Sequence, residues 1–285
     1  ERVKNHVDIL LFVYILSTSF IAGIIGSLLG LGGGIILVPA LTILFDMPIH
    51  EAIGVSFIGV LVNSSSSSLV YIKNRMTDMR LSSILELGAV TGSIIGAYTA
   101  LLIDNNILSA IFGIVLGYIS IDMYRKLKKN SEDNNKESRS DDEREYYDES
   151  TNEIITYSVI REKEGTVLSV IGGIFAGLLG LGGGAIFVPI MNRIMKVPIK
   201  VAIATSSFMI GVTSLVGALI FFNNGFIDVA IVSPIILGIF FGAQIGSRIN
   251  KGIDKQILTN IFCLVLIYIA LRMIINGLEI EVLNL

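Results

Sequence analysis

The chain contains the same arrangement of residues twice, 150 positions apart. The string LLGLGGG occupies residues 28–34 and returns letter for letter at 178–184. Residues 23–123 align with residues 173–273 without a gap, and the aligned pairs include Pro39 with Pro189, Ser56 with Ser206, Asn74 with Asn224, Gly92 with Gly242 and Asp104 with Asp254. Chance does not produce a match of this extent, so we expect two halves with the same fold.

Each half contains five apolar segments. They cover 8–30, 34–45, 52–72, 81–103 and 106–124 in the first half, and 166–180, 184–195, 201–222, 229–247 and 256–275 in the second. The chain is 53% hydrophobic and only 16% charged, too apolar to give a soluble domain of 285 residues a polar surface. Runs of about 20 apolar residues are typical of membrane-spanning helices. We therefore predict an all-α, multi-pass membrane protein.

Charged residues are concentrated between the two halves. Residues 125–164 hold 21 of the chain's 45 Asp, Glu, Lys and Arg side chains. This predicts a first membrane repeat over 1–124, a charged linker over 125–164 and a second membrane repeat over 165–285. Both charge signs and little apolar periodicity in 130–160 favour a solvated, disordered tether, with a binding role as the alternative.

The positive charges of equivalent loops are opposed. Loop 73–80 carries Lys73, Arg75 and Arg80, whereas its counterpart 223–228 carries no Lys or Arg; loop 103–107 carries none, whereas 248–255 carries three. The positive-inside rule then places each loop and its counterpart on opposite sides of the membrane, with 73–80, 248–255 and the linker cytoplasmic. This predicts inverted repeats in a cell membrane, an arrangement characteristic of secondary transporters.

The glycine motif lies within the apolar sequence. Irregular backbone at membrane depth is tolerated only where it is buried in protein or lines a cavity. Segment 34–45 would be about 18 Å long as a helix, against roughly 30 Å of hydrocarbon, so we favour a helical hairpin that re-enters over one that crosses. Because helix N-termini attract anions, two inverted hairpins would form a small-anion site near the midplane. Close packing of helices at the glycines is the alternative.

Polar residues also lie at the predicted midplane. Segment 52–72 is centred near Asn63 and Ser64, whose counterparts are Thr213 and Ser214. Amides and hydroxyls can donate to an anion at less cost than an embedded Lys or Arg, although Ser and Thr also bond to their own helix. The predicted substrate-binding residues are Gly32, Gly33, Gly34, Asn63, Ser64, Gly182, Gly183, Gly184, Thr213 and Ser214. Few charges are embedded; one is Glu86, whose counterpart is Ile236.

The doubled motif resembles that of a known family. The pattern G-x-x-G-x-x-L-G-x-G-G-G-x-x-x-V-P runs from Gly23 to Pro39 and again from Gly173 to Pro189, with Ala176 in place of Gly26 in the second copy. It resembles the sulfite exporter TauE/SafE family of membrane permeases. The resemblance implies transport of a small, often sulfur-containing anion such as sulfite or an organosulfonate.

These observations predict a secondary transporter that works by alternating access. The sequence contains no ATPase motif, so a proton, another cation or the substrate's own gradient would drive transport. No nucleophile–base pair, metal cluster, cofactor motif or basic nucleic-acid surface is recognisable, and we expect neither an enzyme nor a cofactor. A non-transporting membrane scaffold or an intramembrane enzyme is the alternative. The sequence leaves open the anion, the direction of transport and the oligomeric state.

Overall fold

The computed structural model describes residues 9–128, 143–148, 153–249 and 255–278, and helices dominate them. The first half forms α1 (Ile9–Leu29), α2 (Gly34–Leu44), α3 (Ile49–Lys73), α4 (Met79–Leu102) and α5 (Asn105–Lys128). The second forms α6 (Glu162–Leu179), α7 (Gly184–Pro189, continued by a π-helical turn Ile190–Ile194), α8 (Ile199–Asn223), α9 (Val229–Ile249) and α10 (Lys255–Gly277). Each of the ten predicted segments corresponds to a helix.

Six helical segments in the described part of the chain are long and apolar enough to cross a membrane. They are Ile9–Leu28, Ile49–Lys73, Met79–Leu102, Asn105–Met123, Ile199–Asn223 and Val229–Arg248. Helix α2 has 11 residues, about 16 Å at 1.5 Å per residue, and is too short to cross alone. The prediction of an all-α, multi-pass membrane protein is confirmed.

The linker departs from the sequence prediction. Residues Glu143–Asp148 (β1) and Glu153–Ser158 (β2) form an antiparallel hairpin, so the prediction of a disordered tether is wrong for these strands. Tyr146 and Val159 are buried in an apolar cluster with Leu81 of α4 and Met195, which follows the π-helical turn. This packing orders a segment whose average composition is that of a solvated chain.

Equivalent helices of the two halves pack in opposite directions. On α3 and α8, the ring of Phe57 packs against that of Phe221, near the end of α8, with ring centroids 5.4 Å apart. Ser64 donates to the Ser207 carbonyl, nearer the start of α8. Helices α5 and α10 run antiparallel in the same way, since Ser120 donates to the Cys263 carbonyl at 2.8 Å and Gly277 packs against residues near the start of α5. This antiparallel packing is what an inverted repeat requires.

The remaining long helices pair between halves through close glycine contacts. Gly92 and Gly96 of α4 lie against backbone carbonyls of α6, and Gly238 and Gly242 of α9 lie against those of α1. A Cβ at any of these positions would overlap or crowd the facing backbone. Small residues spaced four apart let membrane helices approach closely, which fixes both pairs in parallel register.

Loops 74–78 and 224–228 lie at opposite ends of the α3–α8 pair. The backbone N–H of Asp78 donates to Thr205 Oγ1, near the start of α8, at 3.0 Å. The ring of Phe226 packs 5.3 Å from that of His50, at the start of α3. The structure thus gives the molecule two distinct ends, the 74–78 end and the 224–228 end.

Candidate functional site

The two glycine hairpins meet each other in the interior of the protein. A Cβ on Gly34 would overlap the carbonyl oxygen of Gly180, and a Cβ on Gly184 would crowd the carbonyl oxygen of Gly30. The contact is reciprocal, as expected for two copies related by a pseudo-twofold axis. The structure therefore brings the two predicted glycine triplets, residues 32–34 and 182–184, together.

The hairpin turns require glycine at specific positions. Gly33 has a φ of 80° and Gly183 a φ of 85°, in the left-handed region that residues with a Cβ avoid. Each stands immediately before a short helix. The glycines thus supply both the turn and the close approach of two backbones.

Each hairpin ends in a helix start without a side-chain cap. The first hydrogen bonds of α2 are donated by Ile36 and Leu37 to the Gly33 carbonyl, and those of α7 by Ile186 and Phe187 to the Gly183 carbonyl. The N–H groups just before them lie outside the helices' own hydrogen bonding. The positive ends of two helix dipoles and several backbone donors consequently point toward the centre of the protein.

The hairpins lie midway along the two central helices. A Cβ on Gly32 would stand 2.9 Å from Val60 of α3 and 3.1 Å from Ile210 of α8. Since α2 leads directly to the start of α3, it runs from the middle of α3 back to its beginning. This geometry favours the re-entrant form of the hairpin over a crossing one.

Asn63 is the predicted site residue with the most distinctive surroundings. Its side chain is 1% exposed, and neither Oδ1 nor Nδ2 hydrogen-bonds to any described residue. Nδ2 lies 3.1 Å from where a Cβ on Gly33 would stand, so the amide faces the first hairpin. A buried amide without a partner costs on the order of 1–3 kcal/mol, which calls for an explanation.

Gly26 is replaced by Ala176 in the second half, and the surroundings of Gly26 leave no room for a Cβ. A Cβ on Gly26 would overlap the backbone nitrogen of Gly33 and lie 2.5 Å from Asn63 Nδ2, so the hairpin backbone and the amide together occupy the space that a methyl group would need. In the second half the counterpart of Asn63 is Thr213, which is shorter. A methyl group is accommodated there.

Ser64 and Thr213 have hydrogen-bond partners within the protein. Ser64 donates to the Ser207 carbonyl, which joins α3 to α8. Thr213 Oγ1 lies 3.2 Å from the Gly182 carbonyl and 3.1 Å from that of Ile210 in its own helix. Both hydroxyls therefore hold the central helices and the second hairpin in place in this conformation.

Ser214 resembles Asn63 in having a buried polar atom without a partner. Its hydroxyl is fully buried, makes no hydrogen bond to a described residue, and lies 3.3 Å from where a Cβ on Gly182 would stand. Each hairpin is thus accompanied by one unpartnered polar side chain, Asn63 for the first and Ser214 for the second. All ten predicted site residues are buried, so in this conformation the site is closed to both ends of the protein.

Two supporting residues were not among the predicted site residues. Ser93 of α4 donates to the Thr213 carbonyl at 3.1 Å, and Ser56 lies 3.1 Å from the Gly180 carbonyl. Ser56 was noticeable from sequence because it recurs as Ser206 in the second half, but its contact depends on the other half of the chain. Ser93 has Ala243 as its counterpart, so the duplication gave no signal for it.

Comparison with known proteins agrees with this architecture. The family model for the sulfite exporter TauE/SafE family matches residues 15–273. The chain is 34% identical over 273 residues to the probable membrane transporter protein YunE of Bacillus subtilis, covering 93% of this chain and 98% of that protein. A probable membrane transporter protein of Methanocaldococcus jannaschii is 28% identical over 263 residues, covering 87% and 90%. A third relative, the probable membrane transporter protein YdhB of Bacillus subtilis, is 25% identical, covering 86% and 92%.

No solved structure matches the chain. The family model covers most of the sequence and both glycine hairpins. These relatives are named as membrane transporters, not enzymes. The chain belongs to the sulfite exporter TauE/SafE family of membrane transporters.

Proposed function

We propose that the protein is a secondary transporter of a small anion, such as sulfite, an organosulfonate or a related sulfur-containing anion. The observation that carries the proposal is the meeting of two uncapped helix starts beside the unpartnered amide of Asn63. Backbone N–H groups and amide protons can hold an anion without a fixed positive charge. A neutral site of this kind binds an anion and can also release it.

The closed site indicates a conformational cycle. All ten candidate site residues are buried, so an anion reaches them only after the two hairpins, or the helices around them, move apart. The antiparallel packing of α3 and α8 makes an opening toward the 74–78 end nearly equivalent to one toward the 224–228 end. Rocking of one half against the other would expose the site to each end in turn, which is alternating access in an inverted repeat.

The positive charges orient this cycle in a cell membrane. Lys73, Arg75 and Arg80 cluster at the 74–78 end, which the positive-inside rule makes cytoplasmic. The β1–β2 hairpin packs at that same end, since Arg144 pairs with Asp78 at 2.6 Å. The linker is accordingly cytoplasmic, and loop 224–228 faces the outside.

Flux through proteoliposomes tests the proposal. Purified protein reconstituted into liposomes should carry at least one of sulfite, thiosulfate, sulfate, an alkyl sulfonate or acetate faster than protein-free liposomes do. Asn63→Leu should slow that flux at least several-fold, whereas Ser65→Ala should not, because Ser65 is exposed and bonds back to Leu61 of its own helix. Absence of flux for every anion, or equal flux in both variants, would contradict the anion-transport proposal.

A further inference from the structure

One face of α4 carries a line of polar residues. Asp78, which caps the helix, is followed by Ser82, Glu86 and Ser93 at spacings of four, eight and fifteen residues. At 100° per residue these side chains fall within about 80° of one another around the helix. The line extends for about 22 Å along the helix at 1.5 Å per residue.

The two ends of this polar line have defined partners. At one end, Asp78 accepts from Arg144 at 2.6 Å and from Tyr157 at 2.9 Å, at the 74–78 end of the protein. At the other end, Ser93 donates to the carbonyl of Thr213, whose side chain contacts the second glycine hairpin at Gly182. The line therefore runs from the surface at the 74–78 end toward the candidate anion site.

The middle of the line has no partners. Ser82 Oγ and both carboxylate oxygens of Glu86 are buried and make no hydrogen bond to a described residue. A buried carboxylate without a hydrogen-bond partner is among the costliest groups in a membrane protein. An embedded residue of this kind is a functional candidate by default.

The charged side chains on the helices packed around α4 make no hydrogen bond to the Glu86 carboxylate. The charged residues of α6 are Glu162, Lys163 and Glu164, all in its first turn. Helix α8 contains Lys200 in its first turn, and α4 itself adds Arg80 near its start. None of them bonds to the Glu86 carboxylate. The Arg144–Asp78 pair is eight residues away along α4, or about 12 Å.

The duplication supplies an internal comparison. The counterparts of Asp78, Ser82, Glu86 and Ser93 in α9 are Asp228, Val232, Ile236 and Ala243. The fold therefore accepts apolar side chains at the three inner positions, and packing does not require the polar ones. The polar line exists in one half only and reaches only the 74–78 end.

We propose that Glu86 is the proton-binding residue that couples anion transport to a proton gradient. This inference rests on the anion-transport function proposed above and adds its coupling ion. The Glu86 carboxylate accepts a proton from water at the 74–78 end, by way of Asp78 and Ser82, and becomes a neutral carboxylic acid. Proton binding and anion binding then favour each other, since the two opposite charges are taken up together.

The structure also separates the proton site from the anion site in this conformation. Ala89 is fully buried and lies with Val90 between Glu86 and Ser93, a distance of seven residues or about 10 Å. Coupling requires such insulation, because an open line would leak protons without moving anions. The proton leaves through Ser93 and the anion site when that site opens to the 224–228 end.

Two transport modes in proteoliposomes test the proposal. In the first mode, labelled anion exchanges at equal anion concentration and equal pH on both sides. In the second, a pH gradient alone drives accumulation of the anion. We expect the native protein to perform both, and Glu86→Gln to exchange anion independently of pH while losing pH-driven accumulation at least tenfold. Glu51→Gln, at the opposite end of the protein, should retain both modes.

Retained anion exchange shows that Glu86→Gln still folds, and a direct proton measurement then tests the assignment in a second way. Addition of the transported anion to native protein in unbuffered detergent solution should cause proton uptake, read with a pH indicator, and Glu86→Gln should abolish it. If Glu86→Gln still accumulates the anion under a pH gradient, or still takes up protons when the anion is added, the assignment is overturned. Native protein that exchanges the anion but does not accumulate it under a pH gradient would overturn coupling and leave anion transport intact. Absence of exchange in native protein would overturn the transport function itself.

Discussion

At the scale of single residues, the structure explains why two classes of side chain occupy the centre of an apolar protein. Glycines permit left-handed turns and backbone contact between hairpins, and Asn63 and Ser214 place unpartnered polar atoms beside them. The glycines could be located from sequence, because the motif repeats. The lack of partners for Asn63 could not, because it depends on how both halves surround that position.

Gly33→Ala and Gly225→Ala separate the two roles of the hairpin glycines. Both glycines have nearly equal φ values, 80° and 78°, but a Cβ on Gly33 would stand 3.1 Å from Asn63 Nδ2, whereas one on Gly225 would meet nothing within 4 Å. Each variant should lose about 1–2 kcal/mol of stability from the left-handed backbone. Only Gly33→Ala should also lose anion affinity, by tenfold or more in equilibrium binding. Equal affinities in the two variants would count against backbone donors at the first hairpin.

At the scale of elements, the helices were predictable and the linker was not. Runs of apolar residues gave all ten helical segments because membrane helices are defined by hydrophobicity over many residues. Strands of six residues are too short to change the average of a charged region. Their order comes from contacts with Asp78, Leu81 and Met195, which lie far away in sequence.

Tyr157→Phe should loosen the β1–β2 hairpin from the membrane helices. Burial and the nearby Asp78 carboxylate raise the pKa of Tyr157, so its hydroxyl keeps its proton and donates to Asp78 at 2.9 Å. A hydrogen bond to a charged group contributes roughly 1.5–3 kcal/mol. We expect amide hydrogen exchange in β2 to accelerate at least tenfold, with no change in Tyr98→Phe, whose ring is exposed. Unchanged exchange in Tyr157→Phe would show that apolar packing alone holds the hairpin.

At the scale of the whole molecule, the duplication supplies the architecture. The gapless alignment predicted two halves of the same fold, and the structure packs α3 against α8 and α5 against α10 in opposite directions. Charge asymmetry between equivalent loops predicts their sides of the membrane. The pairing of α4 with α6, and of α1 with α9, was not predicted, since it follows from glycine contacts between the halves.

Cysteine labelling at equivalent positions tests the membrane orientation. Asn74→Cys and Asn224→Cys, each in a Cys263→Ala background, occupy corresponding positions in the two halves. A membrane-impermeant maleimide should label position 224 in intact cells and position 74 only after permeabilisation. Labelling of both positions from the same side would contradict inverted repeats.

The central claim is that an anion supplies the missing partners of the buried polar groups at the two hairpins. Thermal unfolding of native protein and Asn63→Leu, with and without the transported anion, tests it most directly, because a ligand of the folded state raises the unfolding temperature. Without anion, Asn63→Leu should unfold at or above the native temperature, since it removes a buried amide without a partner. With anion, the native protein and Ser65→Ala should gain stability, and Asn63→Leu should gain much less. An equal gain in Asn63→Leu would contradict the account.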